Sequence, residues 1–162
     1  MRLDNTYGIT MAPGSGGLGL HGGDTPHDPA QGYAVHGGRM YNGLVAVQWA
    51  LVDHRLGDGG FGCIPGSHKA SFALPAQPDP ALVSEVTMSA GDVVIFTEAL
   101  THCTITWRGP IDRLTLLYKY SPGHSAWSPD DNDAALLAPL LTERQRRLFQ
   151  RPAVHLHQPV RG

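Results

Sequence analysis

Short apolar runs separated by glycine- and proline-rich turns fill the first three quarters of the chain. This pattern limits the possible folds more than any other feature of the sequence. Glycine and proline, with 20 and 13 residues, make up about a fifth of the 162 residues. Both residue types disfavour helix interiors but serve turns. The pattern therefore excludes a helical bundle and predicts a mainly β domain, either a sandwich or a barrel.

About seven runs have the character of strands. The longest, residues 43–52, is apolar and rich in β-branched residues, which predicts a strand that is buried on both faces. Several of the others follow turn signals such as Asp58-Gly59-Gly60 and Ala90-Gly91-Asp92. The remaining predicted strands are residues 7–12, 61–64, 82–88, 93–96, 103–107 and 114–120.

The last part of the sequence has helical signals instead. Polar residues 130–133 offer helix caps before an apolar segment, and Thr142 with Gln145 forms the capping box of a second short helix. We expect short helices within residues 130–150 that pack on a β core of residues 7–121. The length predicts that residues 1–162 form a single domain.

Charge and composition exclude several classes of partner. Twelve basic and 14 acidic residues give a net charge of −2, which leaves no basic surface for nucleic acid. No apolar run approaches the ~20 residues that span a bilayer, and no secretory signal is visible. Because two cysteines, Cys63 and Cys103, do not form a disulfide framework, the expected setting is a reducing cytoplasm.

Histidine is frequent, with nine residues in the chain. Neutral imidazole binds iron, zinc and copper, but the strongest zinc signatures, His-Glu-x-x-His and Cys-x-x-Cys, are absent from the sequence. Two histidines stand apart: His21 follows a strand and a glycine-rich loop, and His102 lies between two predicted strands. His27, His36 and His54 lie in expected loops, which predicts that they are exposed.

Arg113 opens the last predicted strand, eleven residues after His102. At such a position a guanidinium can hold a carboxylate through two parallel hydrogen bonds. A surface ion pair with the adjacent Asp112 is the simpler interpretation, and the local pattern alone favours it.

Several motifs, in this order and spacing, resemble the phytanoyl-CoA dioxygenase family over about residues 7–121. They are Pro13-Gly14, Leu20-His21, Ile64-Pro65-Gly66-Ser67-His68-Lys69, Ala90-Gly91-Asp92-Val93-Val94-Ile95-Phe96, His102 and Arg113. The resemblance implies a double-stranded β-helix, a cupin-like jelly roll, with Fe(II) as cofactor and 2-oxoglutarate as cosubstrate. It implies an oxygenase that hydroxylates a small organic substrate and releases succinate and CO2. By resemblance, His21 and His102 bind iron, and Arg113 binds the far carboxylate of 2-oxoglutarate.

The third iron ligand is where the sequence departs from that family. Members carry His-x-Asp, whereas here Gly23 stands two residues after His21 and Asp24 stands one further on. Three interpretations stay open. Asp24 replaces the ligand through a shifted turn, Asp28 or Asp53 supplies it, or the position holds no carboxylate and is empty or filled by a halide, as in related halogenases.

Other functions and the oligomeric state are open as well. The alternatives to the oxygenase are a non-catalytic binding protein that keeps the fold and a cupin-like metalloprotein that does not use 2-oxoglutarate. Family members usually have helices and strands before the jelly-roll core, and an uncovered sheet edge pairs readily with another chain. This argument predicts a homodimer, with cover by the C-terminal helices as its alternative.

Overall fold

Ten strands are present in the computed structural model, which describes residues 1–23, 27–70, 72–128 and 137–152. In chain order, the strands are β1 (Arg2–Met11), β2 (Leu18–His21), β3 (Tyr33–His36), β4 (Arg39–Asn42), β5 (Val45–Ala50), β6 (Gly60–Cys63), β7 (Ser84–Glu85), β8 (Val93–Thr97), β9 (His102–Ile105) and β10 (Arg113–Ser121). One short helix, α1 (Glu143–Leu148), follows them in the described part of the chain.

The strands form two four-stranded sheets and a hairpin. The larger sheet has the order β1-β10-β5-β8, the smaller sheet has the order β2-β9-β6-β7, and β3 pairs with β4 alone. Every pair is antiparallel. Neighbouring strands within each sheet are mostly distant in sequence, as in a jelly roll. The mainly β jelly-roll prediction is therefore confirmed.

Burial alternates along β10 and identifies the inner face of the larger sheet. The buried positions of this strand are Arg113, Thr115, Leu117, Lys119 and Ser121. Because side chains alternate along a strand, Tyr118 and Tyr120 lie on the opposite, outer face. There they line a cavity of about 570 Å³ together with Leu148 and Phe149 of the C-terminal segment.

An aromatic cluster fills the space between the two sheets. Phe61 of β6 packs on Phe96 of β8 with ring centroids 4.6 Å apart, and the fully buried Ala46 of β5 completes the cluster. Trp107, after β9, is also fully buried, and its Nε1 donates to the Ile111 carbonyl at 2.7 Å. The buried Trp107 therefore keeps its only polar atom paired.

Asp4 ties the first strand to the segment that follows the last one. Its carboxylate accepts hydrogen bonds from the Ser121 hydroxyl and from the backbone N–H groups of Trp127 and Ser128, at 2.9 and 2.8 Å. Arg2 adds an ion pair at 3.0 Å. Burial alone raises the pKa of Asp4, but these hydrogen bonds and Arg2 reverse the effect and lower it.

The C-terminal helix begins at its predicted capping box. Thr142 Oγ1 accepts from Gln145 N–H at 3.3 Å, and Gln145 Oε1 accepts from Thr142 N–H at 2.8 Å. The helix start predicted at residues 130–136 lies outside the described residues. Within the described residues, no helix has the length and apolar character needed to cross a membrane.

One predicted strand is wrong in extent. Residues 82–88 were expected to be extended throughout, but β7 has two residues. Asp79 accepts from the Ala81 N–H and starts a 3-10 turn over Pro80–Leu82, which takes the first part of the segment out of the sheet. Its last part contributes a single bridge, between His54 and Met88.

The outer face of the larger sheet carries exposed apolar side chains on β5 and β8. Trp49, Val93 and Ile95 are 39%, 38% and 68% exposed. An apolar surface of this kind is compatible with an interface. The homodimer expected from the sequence stays a prediction.

Candidate metal centre

His21 and His102 face each other across the smaller sheet. His21 ends β2, His102 begins β9, and the two residues are direct antiparallel partners. Directly opposed residues project to the same face of a sheet. The two ring centroids are 4.2 Å apart. The structure thus brings together the two histidines that the sequence singled out, although 81 residues of sequence separate them.

The local hydrogen bonds fix which nitrogen each histidine presents. His21 Nδ1 donates to the Gly19 carbonyl at 2.8 Å, and His102 Nδ1 donates to the Leu100 carbonyl at 2.7 Å. Because a carbonyl oxygen can only accept, each Nδ1 carries the proton and each Nε2 keeps its lone pair. Metal-binding histidines are oriented in this way by backbone carbonyls.

His102 is held neutral and fixed in place. Burial lowers its pKa, and this effect exceeds the opposing influence of the Leu100 carbonyl and Glu98. Phe96 meets the His102 ring at 4.9 Å between centroids, and Phe61 lies at 5.9 Å. A neutral imidazole with restricted rotation is the form that binds a metal ion without first releasing a proton.

A buried ion pair lies beside this histidine pair. Glu98, directly after β8, is 3% exposed, and its Oε1 is 3.1 Å from Lys119 Nζ on β10. Its other oxygen, Oε2, is 4.0 Å from His102 Nε2. Lys119 Nζ also lies 4.6 Å from the ring centroid of Trp127. The sequence reasoning missed Glu98, although the spacing Glu98-x-x-x-His102 was visible.

Two glycines follow His21 where the family's iron-binding aspartate is expected. Gly22 and Gly23 have φ values of 77° and 83°, a region that favours glycine. A Cβ at Gly23 would meet Thr101 Oγ1 at 3.2 Å. The position that corresponds to the family aspartate is therefore shaped for glycine.

The three candidate aspartates have different outcomes. Asp24 lies outside the described residues, so its role stays a prediction. Asp28 accepts hydrogen bonds from Ala30 N–H and the Gln31 side chain. Asp53 accepts from Ala90 N–H at 3.0 Å and lies 3.5 Å from Arg55. Asp28 and Asp53 are thus engaged in local turns. As it stands, the described part of the chain contains no group of three His, Cys, Asp or Glu side chains arranged to hold a metal ion.

Arg113 is buried at the start of β10, with 1% of its surface exposed. The surface ion pair with Asp112 that the local pattern favoured is therefore wrong, because β10 turns Arg113 toward the core. Its Nη1 contacts Met11 Sδ at 3.3 Å, and its Nε has no hydrogen-bond partner among the described residues. Burial lowers its pKa to about 10, so the guanidinium stays cationic at neutral pH.

Other polar atoms on the inner face of the larger sheet share this lack of partners. Thr115 Oγ1 and Gln48 Nε2 are buried without a hydrogen bond within the described ranges. Leaving a buried polar group unsatisfied costs about 1–3 kcal/mol. These two groups, together with the Arg113 guanidinium that no described carboxylate pairs, mark a position that suits an anionic ligand with several oxygen atoms.

His54 contradicts the expectation of an exposed loop residue. It is 1% exposed because its backbone forms a bridge with Met88 and its ring meets the buried Trp107 edge-on at 5.3 Å. Burial, and then the charge of Arg113, lower its pKa to about 4. His27 and His36 are exposed as expected. His68, in a 3-10 turn, contacts Tyr33 instead of the histidine pair.

The lowered pKa of His54 predicts that acid destabilises the metal-free protein. The unfolded chain takes up this proton near pH 6.5, whereas the folded chain does so only near pH 4. The contribution of His54 to stability is thus complete above pH 6.5 and is lost as the pH falls toward 4. At pH 5 the loss is about 2 kcal/mol.

The His54→Leu variant isolates this effect, because all other titrating groups remain. Urea denaturation at pH 7 and pH 5 should show a smaller loss of stability in the variant than in the wild type. Equal losses in the two proteins would show that His54 is not the group responsible.

With two antiparallel four-stranded sheets of jelly-roll order, the protein belongs to the class of cupin-like jelly rolls. The sequence model of the phytanoyl-CoA dioxygenase (PhyH) family matches residues 4–114, which is more than half of the chain. The chain is therefore a member of that family. No curated protein matches the sequence.

Solved structures agree with this assignment. HygX from Streptomyces hygroscopicus with iron bound is 28% identical, with a TM-score of 0.69, and the match covers 90% of this chain and 65% of HygX. HygX with nickel, 2-oxoglutarate and hygromycin B bound is 30% identical, with a TM-score of 0.68 and coverage of 78% and 59%. This chain thus spans less than two thirds of HygX. AviO1 from Streptomyces viridochromogenes is 20% identical, with a TM-score of 0.55, and the match covers 76% of this chain and 52% of AviO1. At this low identity, the match supports the fold alone.

Proposed function

We propose that this protein is an Fe(II)- and 2-oxoglutarate-dependent oxygenase that hydroxylates a small organic molecule. The observation that carries the proposal is the pairing of His21 with His102, each with a free Nε2. A buried Arg113 without an anionic partner in the described ranges supports it from the opposite sheet. Membership in the family and the ligands of HygX agree with this reading.

The donor set fits iron. His21 and His102 would hold the ion through Nε2, and neutral imidazole is a suitable ligand for iron in an oxygenase centre. When bound, Fe(II) with 2-oxoglutarate activates dioxygen for attack on a substrate carbon, and succinate and CO2 are released. The contribution of the chain is to orient the two rings through the carbonyls of Gly19 and Leu100.

The polar groups of the larger sheet fit 2-oxoglutarate. A Cβ at Gly60 would lie 3.1 Å from Arg113 Nε, and Gly60 pairs with Ile105 of β9. Ile105 lies three positions after His102 on β9, and a strand rises about 3.3 Å per residue. Arg113 therefore lies about 10 Å along the roll from the histidine pair. A short dicarboxylate suits this arrangement, with one end at the metal and the other at Arg113, where Thr115 would add a hydrogen-bond donor.

Apolar side chains surround His102, and Arg113 is buried, whereas His21 is exposed. Phe61 and Phe96 are 3% and 8% exposed, and both pack against His102. A water-poor surrounding strengthens the attraction between Arg113 and a carboxylate. It also limits side reactions of an oxidising centre. The substrate class is set elsewhere, in loops that vary within a fold. One HygX structure has hygromycin B bound. For this chain we propose only that the substrate is a small molecule.

A binding experiment without oxygen tests the proposal. Fe(II) and 2-oxoglutarate added together to the wild-type protein should give a visible charge-transfer band that neither gives alone. Succinate should then form from 2-oxoglutarate once oxygen and a suitable substrate are supplied. Iron binding without the band would instead indicate a cupin-like metalloprotein that does not use 2-oxoglutarate. Absence of both iron and 2-oxoglutarate binding would indicate a non-catalytic binding protein.

A further inference from the structure

A carboxylate is missing from the place where the family carries it, but another is buried beside the histidine pair. Gly23 cannot supply an acid, and its φ of 83° disfavours any substitute. Glu98 is 3% exposed, and its Oε2 lies 4.0 Å from Nε2 of His102. That Nε2 is the atom left free by the hydrogen bond between His102 Nδ1 and Leu100.

The ends of both histidine-bearing strands enclose Glu98. The N–H of Gly23, two residues after His21, donates to the Glu98 carbonyl at 3.3 Å. A Cβ on Gly22 would lie 2.7 Å from the same carbonyl oxygen. His102 follows four residues after Glu98. The loop between β8 and β9 therefore places the Glu98 backbone against the strand end after His21 and the Glu98 carboxylate beside the His102 ring.

The two oxygens of Glu98 have different surroundings. Oε1 lies 3.1 Å from Lys119 Nζ, which fixes the side chain, while Oε2 is directed at His102. Ligand atoms on adjacent positions of one octahedral ion lie about 3 Å apart. A shortening of about 1 Å from the present separation would bring Oε2 and His102 Nε2 to that distance. Lys119 would then hold the second oxygen, as outer-shell partners of metal-binding carboxylates do.

We propose that Glu98 is the carboxylate ligand of the metal centre, so that the triad is His21, Glu98 and His102. This inference rests on the proposed metal-dependent function. In the His-x-Asp pattern of the family, the carboxylate ligand follows the first histidine, whereas here it would come from the loop between β8 and β9 that precedes His102. The inference also assigns Lys119 as a positioning residue that orients Glu98.

Cys63 is the other ligand type close to the pair. It lies opposite His102 on β6, so the two side chains share a face. Its side chain packs against the Phe61 and Phe96 cluster. We therefore assign it to the core.

A simpler reading is that Glu98 serves only to neutralise Lys119. Replacing either partner breaks their ion pair, but only one replacement removes a metal ligand. The Glu98→Gln and Lys119→Met variants therefore separate the two readings. Mn(II) is the probe, because the EPR signal of the free ion gives the bound fraction directly and needs no turnover.

Glu98→Gln should weaken Mn(II) binding by at least about 100-fold, which exceeds the ~10–100-fold loss typical of outer-shell changes. Lys119→Met should weaken it by no more than the ~10–100-fold of an outer-shell change, because the carboxylate remains. Asp24→Asn and Cys63→Ala should bind Mn(II) as the wild type does. His102→Ala serves as the reference for a lost ligand. In Glu98→Gln, Lys119 loses its ion-pair partner and becomes an unpaired buried charge. A comparison of the double variant Glu98→Gln/Lys119→Met with Lys119→Met repeats the test without that charge.

Two outcomes would overturn the assignment, and they are distinguishable. If Glu98→Gln and the double variant keep wild-type affinity while His102→Ala loses it, Glu98 is not a ligand and the proposed function stands. If Asp24→Asn is the variant that loses Mn(II), the acid after β2 is the ligand. Failure of the wild type to bind Mn(II), Fe(II) or 2-oxoglutarate would remove the proposed function together with the triad.

Discussion

Replacing Arg113 with methionine should weaken 2-oxoglutarate binding by about 100- to 5,000-fold and, at the same time, stabilise the metal-free protein. Loss of one partner of a buried charge pair costs about 3–5 kcal/mol, which sets the loss of affinity. Without 2-oxoglutarate, the guanidinium is 1% exposed and has no ion-pair partner among the described residues. An apolar side chain of similar length, next to Met11, should therefore raise the free energy of unfolding by about 1–3 kcal/mol.

Calorimetric titration with 2-oxoglutarate and urea denaturation measure the two effects. Arg108→Met is the matched control, because Arg108 is an exposed arginine five residues earlier in the chain. An exposed substitution of this kind should change stability by less than about 0.5 kcal/mol and leave 2-oxoglutarate binding unchanged. Iron binding should persist in both variants. An Arg113→Met protein with undiminished 2-oxoglutarate affinity would rule out Arg113 as its binding residue.

The second large effect is expected from Gly22→Ala. The φ of Gly22 is 77°, and an added Cβ would lie 2.7 Å from the carbonyl oxygens of both Glu98 and Leu100 and 3.0 Å from His102 Nδ1. The two nearest contacts are too close, and both are with backbone oxygens, which cannot rotate away. The Leu100 carbonyl is also the group that orients His102. We expect a loss of about 2–3 kcal/mol in stability from strain and overpacking, with metal binding reduced at least 10-fold.

Gly19→Ala provides a control on the same strand. A Cβ at Gly19 has no atom within 4 Å, and Gly19 is not among the glycines with positive φ. Its carbonyl still accepts from His21. Thermal melting and Mn(II) titration of the two variants should therefore diverge. If Gly19→Ala and Gly22→Ala lost stability and Mn(II) affinity to the same extent, crowding at residue 22 would not be the cause of the losses.

The strand pattern predicted those parts of the fold where burial follows the sequence directly. Residues 114–120 alternate, and β10 runs from Arg113 to Ser121. The apolar run at 43–52 became β5, a central strand of the larger sheet. The prediction that this strand is buried on both faces was wrong, because Trp49 on the outer face is 39% exposed. The capping box at Thr142 opens a helix as predicted. In each case, the local signal gives the type of element correctly.

The hairpin of β3 and β4 was missed although its signal was present. Gly37 and Gly38, with φ of 57° and 71°, form the two-residue turn between paired residues His36 and Arg39. A Gly-Gly pair between short strands favours such a turn. The flanking segments mix apolar and polar side chains without regular alternation and are largely exposed, so they lack the pattern that marks a strand.

Within the site, the family resemblance directed attention to His21, His102 and Arg113, but it could not identify Glu98 or the burial of His54. Those two depend on tertiary packing. Glu98 faces Lys119 only because β8 and β10 lie on either side of β5, and His54 is buried by its bridge to Met88. No local pattern contains either contact.

The pairing of His21 with His102 also has a consequence for the order of folding. The two partners are 81 residues apart in the sequence, and β1 pairs with β10 at an even larger separation. Contacts of such range form late and slowly, because a long loop must close first. On a ribosome, the first strand must wait for the last to emerge. Under the proposed function, an ion that needs both imidazoles would therefore bind after these strands have paired, which would make metallation a late event of maturation rather than a nucleus for folding.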